Sequence, residues 1–535
     1  MLRSWRYEMI HQRPTRALAA ALILLVAYPV FASPLPAGQD KPPAGLALGE
    51  CIVRAVKHNL GVAVQVFSSE YYDLALARSR EKFLPLLSFD FGNQSQNSAS
   101  YSWIDASDQV STKYMNYGGS LSQAIPFGGN FSISLSGYRN DTTARFQTIN
   151  PRFGNTLTFA FSQPLLKDFG WNISRKDILV ARNNRDLAES DLKMTLLDTV
   201  YSVEQTYWQL VLSIESLKVR RQSLKLAENL LDQNRKKAEI GTLAPKEILS
   251  VQSDVASRRA DILQAQSQVK DHSDALRVLV NSLDPDSPEV VPTDTPPFEK
   301  YDLGVDAAFA MALKNRPDLK SSALGIKNRE LDYSYAKNQT LPALNVTANY
   351  WSPGIGGDQL LYLDNNPLTG TIVGKIPGGA SLASRDAFHF KYRNWLVALS
   401  LDIPLNTVFS RATQAQAKAS LSQELARMKN LEQQAYLEIR TAIRGVQTNY
   451  ERVDAYKIAR ELAEQKLAAE EAKLDAGLST TFVVLSYQRD LANARLMELG
   501  ALIDYALAVA RLEKTMGTSL DKRNITLIDA VEERS

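Results

Sequence analysis

The chain repeats itself on the scale of half a protein, and no other feature limits its folds as much. Leu48, Gly49, Ala55, Lys57 and Asn59, then Leu84-Pro85-Leu86-Leu87, return as Leu303, Gly304, Ala312, Lys314 and Asn315, then Leu341-Pro342-Ala343-Leu344. The interval is 257 positions from Ala55/Ala312 to Leu87/Leu344, with the asparagine slipped by one. Gln163-Pro164-Leu165 then matches Ile403-Pro404-Leu405 at an interval of 240. A stretch around Gly241 matches one around Gly477 at 236, where Leu249/Leu485, Ser250/Ser486, Gln252/Gln488, Ala256/Ala492 and Arg259/Arg495 coincide. Solenoid units are roughly 20–50 residues long. A copy this long is a duplicated half, so internal pseudo-symmetry is expected.

Within each half the hydrophobic period changes. After Leu84-Pro85, Leu87, Phe89 and Phe91 alternate with Ser88, Asp90 and Gly92, a strand pattern. Leu157, Phe159 and Phe161 do the same before Pro164, as do Leu344, Val346, Ala348 and Tyr350, and later Val397, Leu399 and Leu401. Each half therefore carries at least two strands. The first half has a surplus of 17 residues between its junction prolines, where Leu121 to Leu135 flank a Gly128-Gly129 turn. That reads as an additional hairpin, over 117–138. Two polar stretches, 93–116 and 353–387, read as long exposed loops.

The rest reads as helix. Val200, Val203, Tyr207, Leu210, Ile214, Leu217, Arg221, Leu224, Glu228 and Leu231 follow steps of three and four, a heptad with polar breaks. Ile439, Ile443, Val446, Tyr450 and Val453 continue that register in the second half. A helix over 172–240 would reach ~100 Å at 1.5 Å per residue. The return helices, 245–282 and 480–516, are shorter. Helices over 62–83 and 319–340, stacked end to end with them, would complete a hairpin of that length. Gly241 and Gly477 sit where a glycine ends a helix.

Composition places this architecture. The chain has 535 residues, 45% hydrophobic and 22% charged, and its net charge of +3 does not argue for nucleic acid. One cysteine, Cys51, precludes an internal disulfide, and four histidines leave little for a metal site. Arg3, Arg6, Arg13 and Arg16 precede an apolar run ending in Val30-Phe31-Ala32, which reads as a cleaved secretory signal over 1–32. An N-terminal anchor is the alternative, although the run is shorter than the ~20 residues of a spanning helix. No later stretch is long and apolar enough to span. An exported chain without a spanning helix is periplasmic, secreted or an outer-membrane β-barrel, and strands in an outer membrane must close into a barrel because lipid leaves an open sheet edge unpaired. Four strands, or six with the extra hairpin, are too few for an open lumen, but a trimer would supply 12 or 18, an even number.

These residues carry a family resemblance. The doubled entry ending in Leu-Pro-x-Leu, the doubled Gln/Ile-Pro-Leu exit, and the turns Ala238-Glu239-Ile240-Gly241-Thr242 and Asp475-Ala476-Gly477-Leu478 resemble the TolC-like outer-membrane efflux, or outer-membrane factor, family over about 46–517. The resemblance implies a mainly α protein with membrane β. Long antiparallel helical hairpins would form a periplasmic tunnel, and four or six strands per chain would join a trimeric barrel in the cell outer membrane. It implies a homotrimer in outer-membrane lipid, a passive duct energised by an inner-membrane efflux pump or ATP-binding transporter, and a periplasmic adaptor (membrane fusion) protein engaging the tip. No cofactor is implied. The halves would be 46–290 and 301–517, after a linker over 33–45 and before a polar tail over 518–535.

The resemblance assigns the tip turns and adaptor contact to Gly241, Thr242, Gly477 and Leu478. Family members narrow the tip with acidic residues after the second turn. Here those positions are Val483 and Ser486, neither acidic, and an arginine partner falls at Ser479; in the first half Glu247 is acidic. Candidate gate or constriction residues are Glu247, Phe482, Val483 and Ser486. Glu247 reads equally as a helix-start carboxylate, and Phe482-Val483-Val484 as either helix packing or a dewetting constriction. Pro85, Pro164, Pro342 and Pro404 mark strand–helix crossovers. Trp103, Trp351, Trp395, Tyr101, Tyr350 and Tyr392 are candidates for an interfacial aromatic girdle. The chain lacks the motifs H-E-x-x-H, G-x-S-x-G and G-K-[ST], so no enzyme is expected. The leading function is the exit duct of a tripartite efflux system. The alternatives are the duct of a type I protein-secretion system and a coiled-coil spacer without a pore.

Overall fold

A computed structural model describes residues 45–100, 108–239, 245–282 and 290–525. The expected leader, Tyr101, Trp103, the turn residues Gly241 and Thr242, and the tail beyond Ile525 lie outside the described residues.

The first half begins with a short strand β1 (Gly45–Leu46), then α1 (Leu48–His58) and α2 (Leu60–Arg80). Four strands follow: β2 (Leu86–Ala99), β3 (Gln109–Ala124), β4 (Asn130–Thr142) and β5 (Ile149–Pro164). A single turn α3 (Trp171–Ser174) leads into α4 (Lys176–Glu239), and α5 (Pro245–Leu279) returns. After β6 (Val291–Pro292) the second half gives α6 (Val305–Asn315), α7 (Pro317–Asn338), β7 (Ala343–Tyr362), β8 (Ile372–Ile376), α8 (Ala380–Phe388), β9 (Asn394–Asp402), α9 (Val408–Asp475), α10 (Thr481–Met516) and α11 (Ser519–Lys522). The order of elements repeats, as the duplication requires.

At 1.5 Å per residue α4 and α9 each run ~100 Å. They stay helical over that length because the heptad face is buried. Val200, Val203, Tyr207 and Leu210 are wholly inaccessible and share one core with α1, α2 and the end of α5. Ile439, Ile443, Val446 and Val453 share another with α6 and α10. Neither α5 nor α10 matches its long partner alone. Asn59 Nδ2 donates to the Leu279 carbonyl at 3.0 Å, which joins the start of α2 to the end of α5, and α2 continues along α4 towards the sheet. Arg316, just before α7, donates to the Thr515 carbonyl at the end of α10.

The one-residue slip of the repeated asparagine has a capping explanation. The Asn59 side chain accepts from the Gly61 and Val62 amides at the start of α2. Asn315 does not cap α7. Pro317 at the first turn takes over there, since its missing N–H would be unsatisfied anyway.

The sheet differs from expectation in its extent. All the long strands are antiparallel, in the order β2-β3-β4-β5-β7, with β9 on the lower and β8 on the upper part of the far edge of β7. The additional hairpin is longer than 117–138 and lies inside the sheet as β3 and β4, bonded to β2 and β5. Much of the two expected loops is therefore ordered: β2 and β3 extend through 93–99 and 109–116, and 353–387 contains the upper part of β7, β8 and α8. Ser, Asn and Gln on both faces erase the period-2 signal there, but the ladder is carried by backbone groups and needs no apolar side chain.

Two buried tyrosines fasten the segment between the halves. The Tyr207 hydroxyl lies 3.1 Å from the Leu46 carbonyl and 3.0 Å from Asp294 Oδ2, and accepts from the Thr293 and Asp294 amides. The Tyr505 hydroxyl donates to the Glu299 carbonyl and accepts from the Tyr301 amide. The start of the polar tail packs here too: Leu520 joins the first core, Arg523 pairs with buried Glu204, and Lys522 with Glu513 at 2.8 Å. Burial pushes the Glu204 carboxyl up to about 7; Arg523 opposes this and Glu513 adds to it. Cys51 is fully buried on α1, and burial pushes its thiol up to about 11.

Replacing Tyr207 or Tyr505 by Phe removes hydrogen bonds to largely part-buried backbone groups and should cost about 1 kcal/mol each in unfolding of the detergent-solubilised protein. The folded state holds a proton on Glu204 that the unfolded chain releases near 4.5, so its contribution to stability is present below that pH and is lost as pH rises through about 7. Melting curves of wild type and Glu204→Gln between pH 4.5 and 8 should show that decline in wild type and a flatter profile in the variant.

Candidate functional site

The strands sort their side chains by face. Leu87, Leu121, Ile133, Phe159, Tyr350 and Trp395 are successive partners in one row across the whole sheet. Because side chains alternate along a strand, Phe89, Phe91, Phe131, Leu135, Leu157, Phe161, Val346, Val397, Leu399 and Leu401 share their face. Ser88, Ser120, Ser122, Ser132, Ser134, Thr158, Ser162, Thr347, Asn349 and Ser400 occupy the other. Towards the sheet edges the apolar side is open to its surroundings in a single chain, where Phe89 is 79% and Trp395 73% exposed, whereas Leu157 near the middle is buried. Among the described residues, β2 and β9 each carry no strand on one edge.

Of the aromatic candidates, Tyr350 and Trp395 lie in that row, but Trp351 points to the polar face. It therefore does not belong with them. Above the row, α8 packs on the apolar face of β5 and β7. Asn155 Nδ2 donates to Ser384 Oγ at 2.6 Å, and Phe390 stacks near Phe159 and Tyr350. Gly354 makes the approach possible, since a Cβ there would lie 2.0 Å from the Ala383 carbonyl oxygen.

The four prolines lie at the ends of strands on the helical side of the sheet. Pro85 precedes β2, Pro164 closes β5, Pro342 precedes β7 and Pro404 follows β9. The turn between β3 and β4 returns at the same end: Gln123 Nε2 donates to the Phe83 carbonyl, and Phe127 packs edge-on against Trp171.

At the far end of the helices, Gly477 has φ +77° and closes α9 with a paired motif: its amide donates to Leu474 O at 3.0 Å and that of Leu478 to Lys473 O at 2.8 Å. Leu478 is 80% exposed. Ser479 Oγ donates to Glu470 Oε1 at 2.6 Å. Of the constriction candidates, Phe482 is 65% exposed, Val483 and Ser486 are half-buried, and neighbouring Val484 is packed into a small core with Leu467 and Leu491. Glu247 is half-buried in the first turn of α5. The structure does not gather these four into one cluster within the chain.

It does gather a set that the sequence reading passed over. Arg258 Nε lies 2.6 Å from Asp254 Oδ2, and its Nη1 donates to the Ser223 carbonyl and hydroxyl at 2.7 Å; Arg489 on α10 reaches Asp254 Oδ1 at 3.0 Å. These groups line a cavity with Arg220, Asp261 and Phe482, and they tie the first hairpin to the second. Burial lowers the pKa of Arg258, opposed by Asp254. The i,i+4 spacing of Asp254 and Arg258 was visible, but charged pairs on long helices usually lie on a solvated face. Among the described residues no group of His, Cys, Asp and Glu is placed to hold a metal ion, and no helix is long and apolar enough to cross a membrane.

Comparison with known proteins follows the same lines. The chain matches no curated protein sequence. Its fold matches the Campylobacter jejuni CmeC outer membrane channel with a TM-score of 0.62 at 14% identity, covering 96% of this chain and 99% of that one. It matches CusC at 0.64 and 14% identity, covering 92% and 99%. It matches VceC of Vibrio cholerae at 0.60 and 15% identity, covering 88% and 96%. The model of the outer membrane efflux protein family matches residues 130–282 and 309–518. Both halves are thus included, and the chain belongs to the outer membrane efflux protein family.

Proposed function

We propose that this protein is the exit duct of a tripartite efflux system: three copies close a barrel in the outer membrane, and their helices continue as a tunnel into the periplasm. The observation that carries the reading is the sheet, apolar on one face, polar on the other and, among the described residues, without a strand on either outer edge. Lipid accepts the Leu/Phe/Trp face, water fills the Ser/Thr/Asn face, and lipid-exposed strands require closed edges. A coiled-coil spacer has no use for such a sheet. CmeC is described as an outer membrane channel, and CusC in terms of transmembrane channel formation; both relatives support the duct.

In this reading residues 1–32 direct export and are removed, the halves are 46–290 and 301–517, and the tail over 518–535 begins by packing at the level of the buried tyrosines. Conduction is passive, with an inner-membrane pump supplying energy through an adaptor. The turns at Gly241-Thr242 and Gly477-Leu478 form the adaptor contact, where exposed Leu478 offers apolar surface at the end of the helices. Phe482, with Glu247, Val483 and Ser486, narrows the tip, and Pro85, Pro164, Pro342 and Pro404 mark where barrel becomes tunnel.

The deciding measurement is light scattering with size exclusion on protein extracted from outer membranes by detergent. A trimer is expected; a protein released without detergent as a monomer would exclude the duct. In planar bilayers Phe482→Ser should raise single-channel conductance by a factor of about two or more if the phenylalanine narrows the path. An unchanged conductance would place Phe482 outside it.

A further inference from the structure

We propose that the transmembrane wall is an eighteen-stranded barrel, six strands from each of three chains, in which β9 of one copy pairs antiparallel with β2 of the next. The inference rests on the duct reading and goes beyond it by fixing both the size of the wall and the surface through which a second copy binds.

Three observations carry it. First, the β3–β4 hairpin is part of the wall. The β2–β3 ladder runs unbroken from Leu86↔Ser122 to Ala99↔Gln109, and β4 pairs with β5 from Asn130↔Ser162 to Asn140↔Arg152. A four-strand contribution would require breaking both ladders. Second, the unpaired edges have the right polarity. β2 leaves the helical end of the sheet and β9 returns to it, so with an even number of strands adjacent copies meet antiparallel. Third, the two edges match in pattern and in level. β2 begins just after Pro85 and β9 ends just before Pro404. Placing these ends side by side sets Ser88 opposite Ser400. Leu87, Phe89 and Phe91 then face Leu401, Leu399 and Val397 on the lipid side, with the serines towards water. A slip of one residue would reverse every side chain on the edge strand.

The same register accounts for the slant of the apolar band. The row from Leu87 ends at Trp395, the opposite end of β9 from Leu401. Going once through a chain and onto the next copy therefore shifts the register, as it must in a barrel of tilted, staggered strands.

The test uses pairs of cysteines on the water-facing side in the full-length protein in outer membranes, with oxidation followed by denaturing electrophoresis. Buried Cys51, whose thiol stays protonated, supplies no background. Ser88→Cys with Ser400→Cys should give covalent dimers and trimers. Asp90→Cys with Ser400→Cys, and Ser88→Cys with Ala398→Cys, cover a register displaced by two, and bonding between chains in any of the three supports the interface. Ser88→Cys with Ser120→Cys, and Ser134→Cys with Thr158→Cys, should close within one chain. Ser88→Cys with Ser162→Cys should stay open. Closure of that last pair, with Ser134/Thr158 open, would mean that β2 meets β5 directly and the hairpin lies outside. That would overturn the eighteen-stranded wall while leaving the duct intact. Absence of all bonding between chains, in a protein that leaves membranes without detergent, would instead overturn the duct reading itself.

Discussion

The pairing of backbone N–H and C=O groups along β2 and β9 is the constraint on which the rest of the structure turns. Each unpaired group in lipid costs several kcal/mol, and a sheet edge presents a row of them. Among the described residues of a single chain no strand pairs with these two edges. The helices can be seen as the device that holds them ready. Cross-links near the sheet, such as Lys176 with Asp332 at 2.8 Å and Asn328 with Asn183 and Asn184, tie α4 to α7 and so set the first-half strands beside those of the second. Individually such partly solvated contacts are worth little. Their role is to fix geometry, so that the ladder forms in one register.

What the sequence disclosed followed the strength of its periodicities. The heptad from Val200 to Leu231 and the alternation of Leu87, Phe89 and Phe91 are each set by burial on one side, so they survive as patterns that can be counted. Where burial ceases, the pattern ceases, and strands built of Ser, Asn and Gln read as loops. The hydroxyls of Tyr207 and Tyr505 were equally silent. A tyrosine at a heptad position looks like core, and it is core, but its partners come from residues 46 and 293–301, far along the chain. Asp254, Arg258 and Arg489 were missed for a related reason: only a third helix makes their surroundings an interior.

The duplication persists down to single contacts. Arg259 pairs with Glu228 across α4 and α5 at 2.8 Å, and Arg495 with Glu464 across α9 and α10 at 3.1 Å. All four residues are related by the same interval of 236. The polar break that Glu228 makes in its heptad is thus one member of a repeated bridge. Elsewhere the halves have diverged by substituting one solution for another, as where Pro317 does the work of the Asn59 cap. The buried network around Arg258 has no such twin, since Ala494 stands at the matching position. The two hairpins are alike in frame and different where they meet near the tip.

The β3–β4 hairpin enters and leaves at the far end of the sheet and only turns at the helical end, without engaging a helix of its own. The chain therefore still crosses between sheet and helices at four points, marked by Pro85, Pro164, Pro342 and Pro404, whatever the number of strands between them. Sheet width and helix number are in consequence independent variables in this architecture. In the proposed assembly, an insertion of one hairpin lengthens the perimeter of the barrel by two strands per chain and leaves the perimeter of the helical part as it was. Two sections of one conduit can in this way be resized separately, by a change that touches neither the junctions nor the residues that hold the halves together.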